Sequence, residues 1–79
     1  MIHWTNEHNK LTGVITDRHY IELVNLAVKA ALLAEKLQHH PTLTIEYSKL
    51  TIELSTHDAG NTVTEKDWDF AREFESGLN

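Results

Sequence analysis

Six histidines stand in a chain of 79 residues, and histidine is the side chain whose ordinary titration lies nearest neutral pH. Two are adjacent, His39-His40, directly ahead of Pro41, and a third, His57, follows a run of alternating apolar residues. Histidines at the ends of regular elements are held by a rigid scaffold while facing a ligand, the arrangement that proton transfer needs. The C-terminal end of a helix carries partial negative charge and favours a cation, which suits His39 or His40 to the work of a general acid. Three imidazoles are also the ligand set of a three-histidine zinc site, although adjacent side chains diverge and no carboxylate stands at ligand spacing to complete it. A structural reading is open too, since His39-His40-Pro41 can be a polar helix terminus that satisfies its last carbonyls. Glu35, four residues before His39, can tune that imidazole or be a solvated helix carboxylate. The spacing Thr64-x-x-Asp67, like Thr62-x-x-Glu65, reads as a helix capping box. His3, His8 and His19 have no partner at a recognisable spacing and read as surface residues.

The elements that must position these groups follow from the hydrophobic period. Trp4–Glu7 and Lys10–Ile15 read as two short strands of a hairpin turning at His8-Asn9. Thr16 or Asp17 offers a helix cap, and residues 18–38 contain no Gly or Pro. Within that stretch Tyr20, Leu23, Val24, Ala27, Ala31 and Ala34 recur at three- and four-residue steps, which defines an amphipathic helix. Pro41 ends it by denying His40 the helical conformation. Leu43, Ile45 and Tyr47, then Leu50, Ile52 and Leu54, alternate with polar residues as strands do. The apolar parity flips between Tyr47 and Leu50, which requires either a tight turn or a bulge at Ser48-Lys49. A loop over 56–61 leads to a second helix over 62–76, with Trp68, Phe70, Ala71 and Phe74 on its core side. The expected fold class is α+β: a two-layer sandwich in the order β-β-α-β-β-α, with a four-stranded, largely antiparallel sheet and two helices on one face.

Length leaves room for one domain, residues 1–79. Seven Lys and Arg against twelve Asp and Glu give a net charge of −5, the wrong sign for sequence-general binding to the phosphates of DNA or RNA. The absence of cysteine rules out disulfides, a thiolate nucleophile and cysteine-held metal centres. No apolar run approaches the ~20 residues of a membrane span, and the start of the sequence lacks the basic and apolar parts of a signal peptide. The expectation is a soluble, cytoplasmic protein with no membrane and no nucleic-acid partner. A chain this short buries only about 60–65% of its unfolded surface, and the expected supplement is self-association as a homodimer or homotetramer.

Glu35-x-x-x-His39-His40-Pro41, Tyr47, Thr56-His57-Asp58-Ala59-Gly60 and Asp67 together resemble the signature of the pterin-4a-carbinolamine dehydratases, also called the dimerization-cofactor family. Trp4 is similar to the tryptophan that begins that family's first strand, and the likeness covers nearly the whole chain. The family's usual helix ahead of that tryptophan has no counterpart here, which bears on the oligomer interface more than on the pocket. The resemblance implies dehydration of a 4a-hydroxytetrahydropterin to a quinonoid dihydropterin, a hydro-lyase reaction in which the pterin is the substrate and no cofactor or metal takes part. Carried over by residue, it makes His39 and His57 the acid–base pair and His40 the residue that mainly holds the pterin. It has Asp67 orient a histidine or the pocket loop and Tyr47 supply a pocket or core aromatic. It also implies alternatives, in which the chain is a dimerization cofactor of a transcription factor or a pterin-binding module with incidental activity.

Overall fold

A computed structural model describes residues 2–78; Met1 and Asn79, part of the expected domain, lie outside the described residues. Strands β1 (His3–Glu7) and β2 (Lys10–Thr16) are followed by helix α1 (Tyr20–Leu37), strands β3 (Thr42–Glu46) and β4 (Lys49–Leu54), and helix α2 (Glu65–Ser76). A single 3-10 turn, His57–Ala59, lies between β4 and α2. The element order and the α+β class are those expected. The sheet is antiparallel throughout, with spatial order β1-β2-β4-β3, so that β1 and β3 are its edges.

Local chemistry accounts for the hairpins. His8 and Asn9 both take left-handed backbone, with φ of 54° and 60°, the pair of conformations that lets a two-residue turn match the twist of its strands. Between β3 and β4, Glu46 faces Lys49 directly, so the parity change is a tight turn at Tyr47-Ser48 and not a bulge. That turn removes Tyr47 from the strand and leaves it 89% exposed.

Register puts the apolar residues on one face. Leu11 faces Leu54, Gly13 faces Ile52 and Ile15 faces Leu50, while Leu43 and Ile45 of β3 flank Ile52 and Leu50 from the other side. Against this face α1 buries Leu23, Leu26, Ala27, Ala30 and Ala34, and α2 buries Phe70, Ala71 and Phe74. Two expected positions on α1 are corrected, because Tyr20 and Ala31 are exposed and Leu26 and Ala30 take their place in the core. The helix carries apolar residues on two faces, and periodicity alone does not choose between them. The cap is corrected as well. Asp17 adopts φ of 60°, which delays the helix until His19, whose backbone N–H donates to the Glu22 carboxylate at 3.2 Å. Among the described residues no helix is long and apolar enough to cross a membrane.

Trp4 joins the sheet to α2. Its ring lies over Gly13, and its indole N–H donates to the Glu75 carboxylate at 3.0 Å. A Cβ on Gly13 would stand 2.5 Å from the Trp4 ring. Gly13→Ala therefore displaces the indole, and we expect a loss of about 1–3 kcal/mol in urea unfolding, accompanied by altered tryptophan fluorescence in the folded state. Unchanged stability would mean that the indole has another seat available.

Candidate active site

The termination of α1 sets the position of the adjacent histidines. Gln38 takes left-handed backbone, φ 52°, and the His39 N–H donates to the Ala34 carbonyl at 3.0 Å, closing the helix in the manner usually given to glycine. The Gln38 side chain donates to the Glu35 carbonyl at 2.7 Å, satisfying another of the open carbonyls at this end. Pro41 then sends the chain into β3. In this conformation the two imidazoles have separate partners. His39 Nε2–H donates to Asp67 Oδ1 at 2.5 Å, and His40 Nε2–H donates to Glu35 Oε2 at 2.5 Å. The first pair is sheltered, with side-chain exposures of 13% and 0%, whereas the second is open to solvent.

Asp67 is fully buried and saturated with donors. Its Oδ2 accepts from the Thr64 backbone N–H at 2.8 Å and from the Thr56 hydroxyl at 2.9 Å, while Oδ1 faces His39. The capping-box reading and the imidazole-orienting reading are thus both realised by one side chain, because a carboxylate has two oxygens and enough lone pairs for both duties. Thr56 Oγ1 also lies 2.6 Å from Thr64 Oγ1. The network ties the exit of β4, the start of α2 and the end of α1 together around one charge.

His57 sits on a loop that closes on itself. Thr56 N–H donates to the Thr62 carbonyl at 2.8 Å, and Asn61 N–H donates to the Thr56 carbonyl at 3.0 Å. Gly60 and Asn61 supply φ of 80° and 59°, conformations that glycine and asparagine adopt most readily. The return of the chain brings Asn61 Oδ1 to 2.7 Å from His57 Nδ1. An amide oxygen only accepts, so Nδ1–H is the donor in this contact and Nε2 is left for a ligand.

A cleft of about 450 Å³, lined by His8, Lys10, His40, Glu53, Ser55 and His57 among others, opens between the β1–β2 turn and the ends of β3 and β4. This falls within the range of roughly 300–1,000 Å³ typical of small-molecule sites. The structure brings His40 and His57 to one cleft. His39 does not line it and is turned toward Asp67 instead. Tyr47 is not part of it: the residue occupies the far end of the β3–β4 hairpin, about 16 Å along the strand at ~3.3 Å per residue, and lines a separate cleft with Arg18, Tyr20 and Ser48. Its expected place in the pocket or the core is corrected for that reason. Sequence reasoning passed over Thr56, Asn61, His8 and Glu53. A signal existed for Thr56 and Asn61, which flank His57 and the Gly60 turn, but His8 and Glu53 reach the cleft only through strand pairing. Among the described residues no three His, Asp or Glu side chains group closely enough to hold a metal ion.

Comparison with known proteins adds the following. A family model described as pterin 4 alpha carbinolamine dehydratase matches residues 1–76. A putative pterin-4-alpha-carbinolamine dehydratase of Trichodesmium erythraeum is 42% identical over 76 residues, covering 96% of this chain and 80% of that protein. One of the same description from Sulfolobus acidocaldarius is 38% identical over 69 residues, covering 87% and 75%. Among solved structures, a transcriptional coactivator/pterin dehydratase from Brucella melitensis superposes with a TM-score of 0.81 at 31% identity, covering 92% of this chain and 79% of that one.

Proposed function

The chain belongs to the pterin 4 alpha carbinolamine dehydratase family, a family of hydro-lyases, and from that membership we propose that it dehydrates a 4a-hydroxytetrahydropterin to the quinonoid dihydropterin. The C4a–O bond breaks as the hydroxyl takes a proton and leaves as water, while the adjacent ring nitrogen gives up its proton and forms the new double bond to C4a. The reaction needs one group to give a proton and one to accept it, with no change of oxidation state and no metal.

His57, in the cleft, carries one of these transfers, and the other is assigned to His39, which stands outside the cleft lining with Nε2 held by Asp67, through Nδ1, the ring nitrogen that Asp67 leaves free. His57 offers Nε2 in the cleft, with Asn61 fixing the tautomer. His39 is held by a buried carboxylate, which orients the imidazole. The observation that carries the reading is the meeting of His40 and His57 in one cleft, with Asn61 holding the His57 ring. His40, exposed and tied to the exposed Glu35, holds the pterin. A stopped-flow assay of 4a-hydroxytetrahydropterin decay tests the proposal. Faster decay with the protein is expected, and an unchanged rate at micromolar protein overturns it.

We further propose a homodimer or homotetramer. Ile21, Val28 and Leu32, spaced seven and four residues apart on α1, are 65%, 51% and 66% exposed, an apolar face whose burial between copies would supplement a small core. The same face favours the second reading, a dimerization cofactor of another protein, for which the coactivator wording belongs to the Brucella relative. Sedimentation equilibrium at micromolar concentration should report a dimer or larger, and Leu32→Glu should weaken the assembly. A monomer whose thermal stability does not fall on dilution would contradict the oligomer.

A further inference from the structure

We propose that Glu53 is the residue that reads the pterin's 2-amino-4-oxo edge, an inference that rests on the dehydratase reading and deepens it. Glu53 points from the outer face of β4, between Thr12 of β2 and Thr42 of β3, so its stem is fixed by a strand on each side. It lines the same cleft as His40 and His57. Of the other carboxylates near the three histidines, Asp67 is committed to His39 and Glu35 to His40, and Asp58, next to His57, does not line the cleft. Among the described residues the Glu53 carboxylate accepts no hydrogen bond, and the Lys10 ammonium stands 3.8 Å from its Oε2, outside hydrogen-bond reach. The side chain is only 30% exposed, which places an acceptor with open lone pairs in a partly desolvated position.

That chemistry matches one end of the substrate. The pyrimidine half of a pterin carries a ring N–H and an exocyclic amino N–H side by side, a planar fork resembling half of a guanidinium. A carboxylate accepts both at once, and such paired, charge-assisted bonds are directional as well as strong. Gripping this edge holds the ring while leaving the hydroxyl-bearing carbon to the imidazoles. Lys10 stands beside the carboxylate without occupying its acceptor sites. Glu53 thus binds and selects the substrate without moving a proton, and ligands lacking the two adjacent donors are rejected because the carboxylate would be left desolvated and unpaired.

The test uses the full chain with the 4a-hydroxy adducts of a 2-aminotetrahydropterin and of its 2-dimethylamino analogue, which lacks the amino donor. The wild-type protein should favour the 2-amino substrate in kcat/KM by about tenfold or more, and Glu53→Gln should raise KM for that substrate by about tenfold. The variant should also lose most of the preference between the two substrates, with kcat changed far less than KM. A KM that does not move, or one that rises equally for both substrates, overturns the proposal. Glu53→Asp, which keeps the charge and shortens the reach, provides a second variant should the glutamine protein fold poorly, and fluorescence titration with a stable dihydropterin provides a readout independent of turnover. Wild-type turnover in the same experiment separates the two claims: no turnover sinks the dehydratase reading, whereas wild-type turnover with an unmoved variant KM sinks only the role of Glu53.

Discussion

Replacing His57 by alanine is expected to lower kcat for carbinolamine dehydration by about 10²-fold or more, the scale of a lost general acid or base. Folding stability should change by less than about 0.5 kcal/mol, as for other exposed positions. The asymmetry follows from where the side chain sits. His57 is exposed, and the hydrogen bond of its ring, to Asn61, belongs to a loop whose backbone bonds from Thr56 to Thr62 and from Asn61 to Thr56 do not depend on the ring. His39→Ala should also reduce kcat, whereas His40→Ala should raise KM with kcat nearly unchanged, because loss of binding made equally in ground and transition states appears only in KM. Tyr47→Ala, at the far end of the hairpin, is the control and should leave both parameters as they are. Steady-state kinetics beside urea unfolding decide the matter. If the three histidine variants merely unfold, the imidazoles are structural and the acid–base assignment is wrong.

Asp67→Ala is expected to be the most destabilising single change at the site, by about 3–5 kcal/mol, a large part of the 5–15 kcal/mol that holds a typical domain. Removing the carboxylate strands the Thr64 N–H and the His39 N–H and takes from the Thr56 hydroxyl one of its two partners. The two stranded N–H groups are at sheltered positions, and an unpaired buried donor costs about 1–3 kcal/mol. Asp67→Asn keeps the volume and some acceptor capacity but aims an amino group at one of these donors, so its loss should fall between alanine and wild type. Equilibrium urea unfolding measures both. A loss below about 1 kcal/mol for the alanine variant would mean that water replaces the carboxylate, and the network would not hold the three elements together as described.

The site divides into what local sequence can specify and what it cannot. The strands were legible because β-branched and apolar residues alternate from Leu43 to Ile45 and from Leu50 to Leu54, and alternation fixes which face is buried once one face is. The long helix was legible from twenty-one residues without Gly or Pro, at positions 18–38, and its stop from Pro41. The parity change after Tyr47 had two solutions in sequence, and pairing Glu46 with Lys49 chose the turn. That choice expelled Tyr47 from the site.

By itself the sequence determined the element order, the fold class and the presence of three histidines at element ends, since each depends on residues within a few positions of one another, whereas the choice of Thr64 over Thr62 as the cap of α2 came with the fold. The tertiary structure decided the partners. His39 meets Asp67 across 28 residues, and the Thr56 hydroxyl reaches the same carboxylate from 11 residues away. The divergence of His39 and His40, one into shelter and one into the cleft, follows from the left-handed backbone at Gln38. The face that α1 buries was likewise a tertiary decision, because both of its apolar faces satisfy the helical period and only the docking of the sheet distinguishes them. Hydrophobic period is a local property, whereas the pairing of a buried charge depends on which distant segments packing brings together, and that assignment is absent from the spacing of residues along the chain.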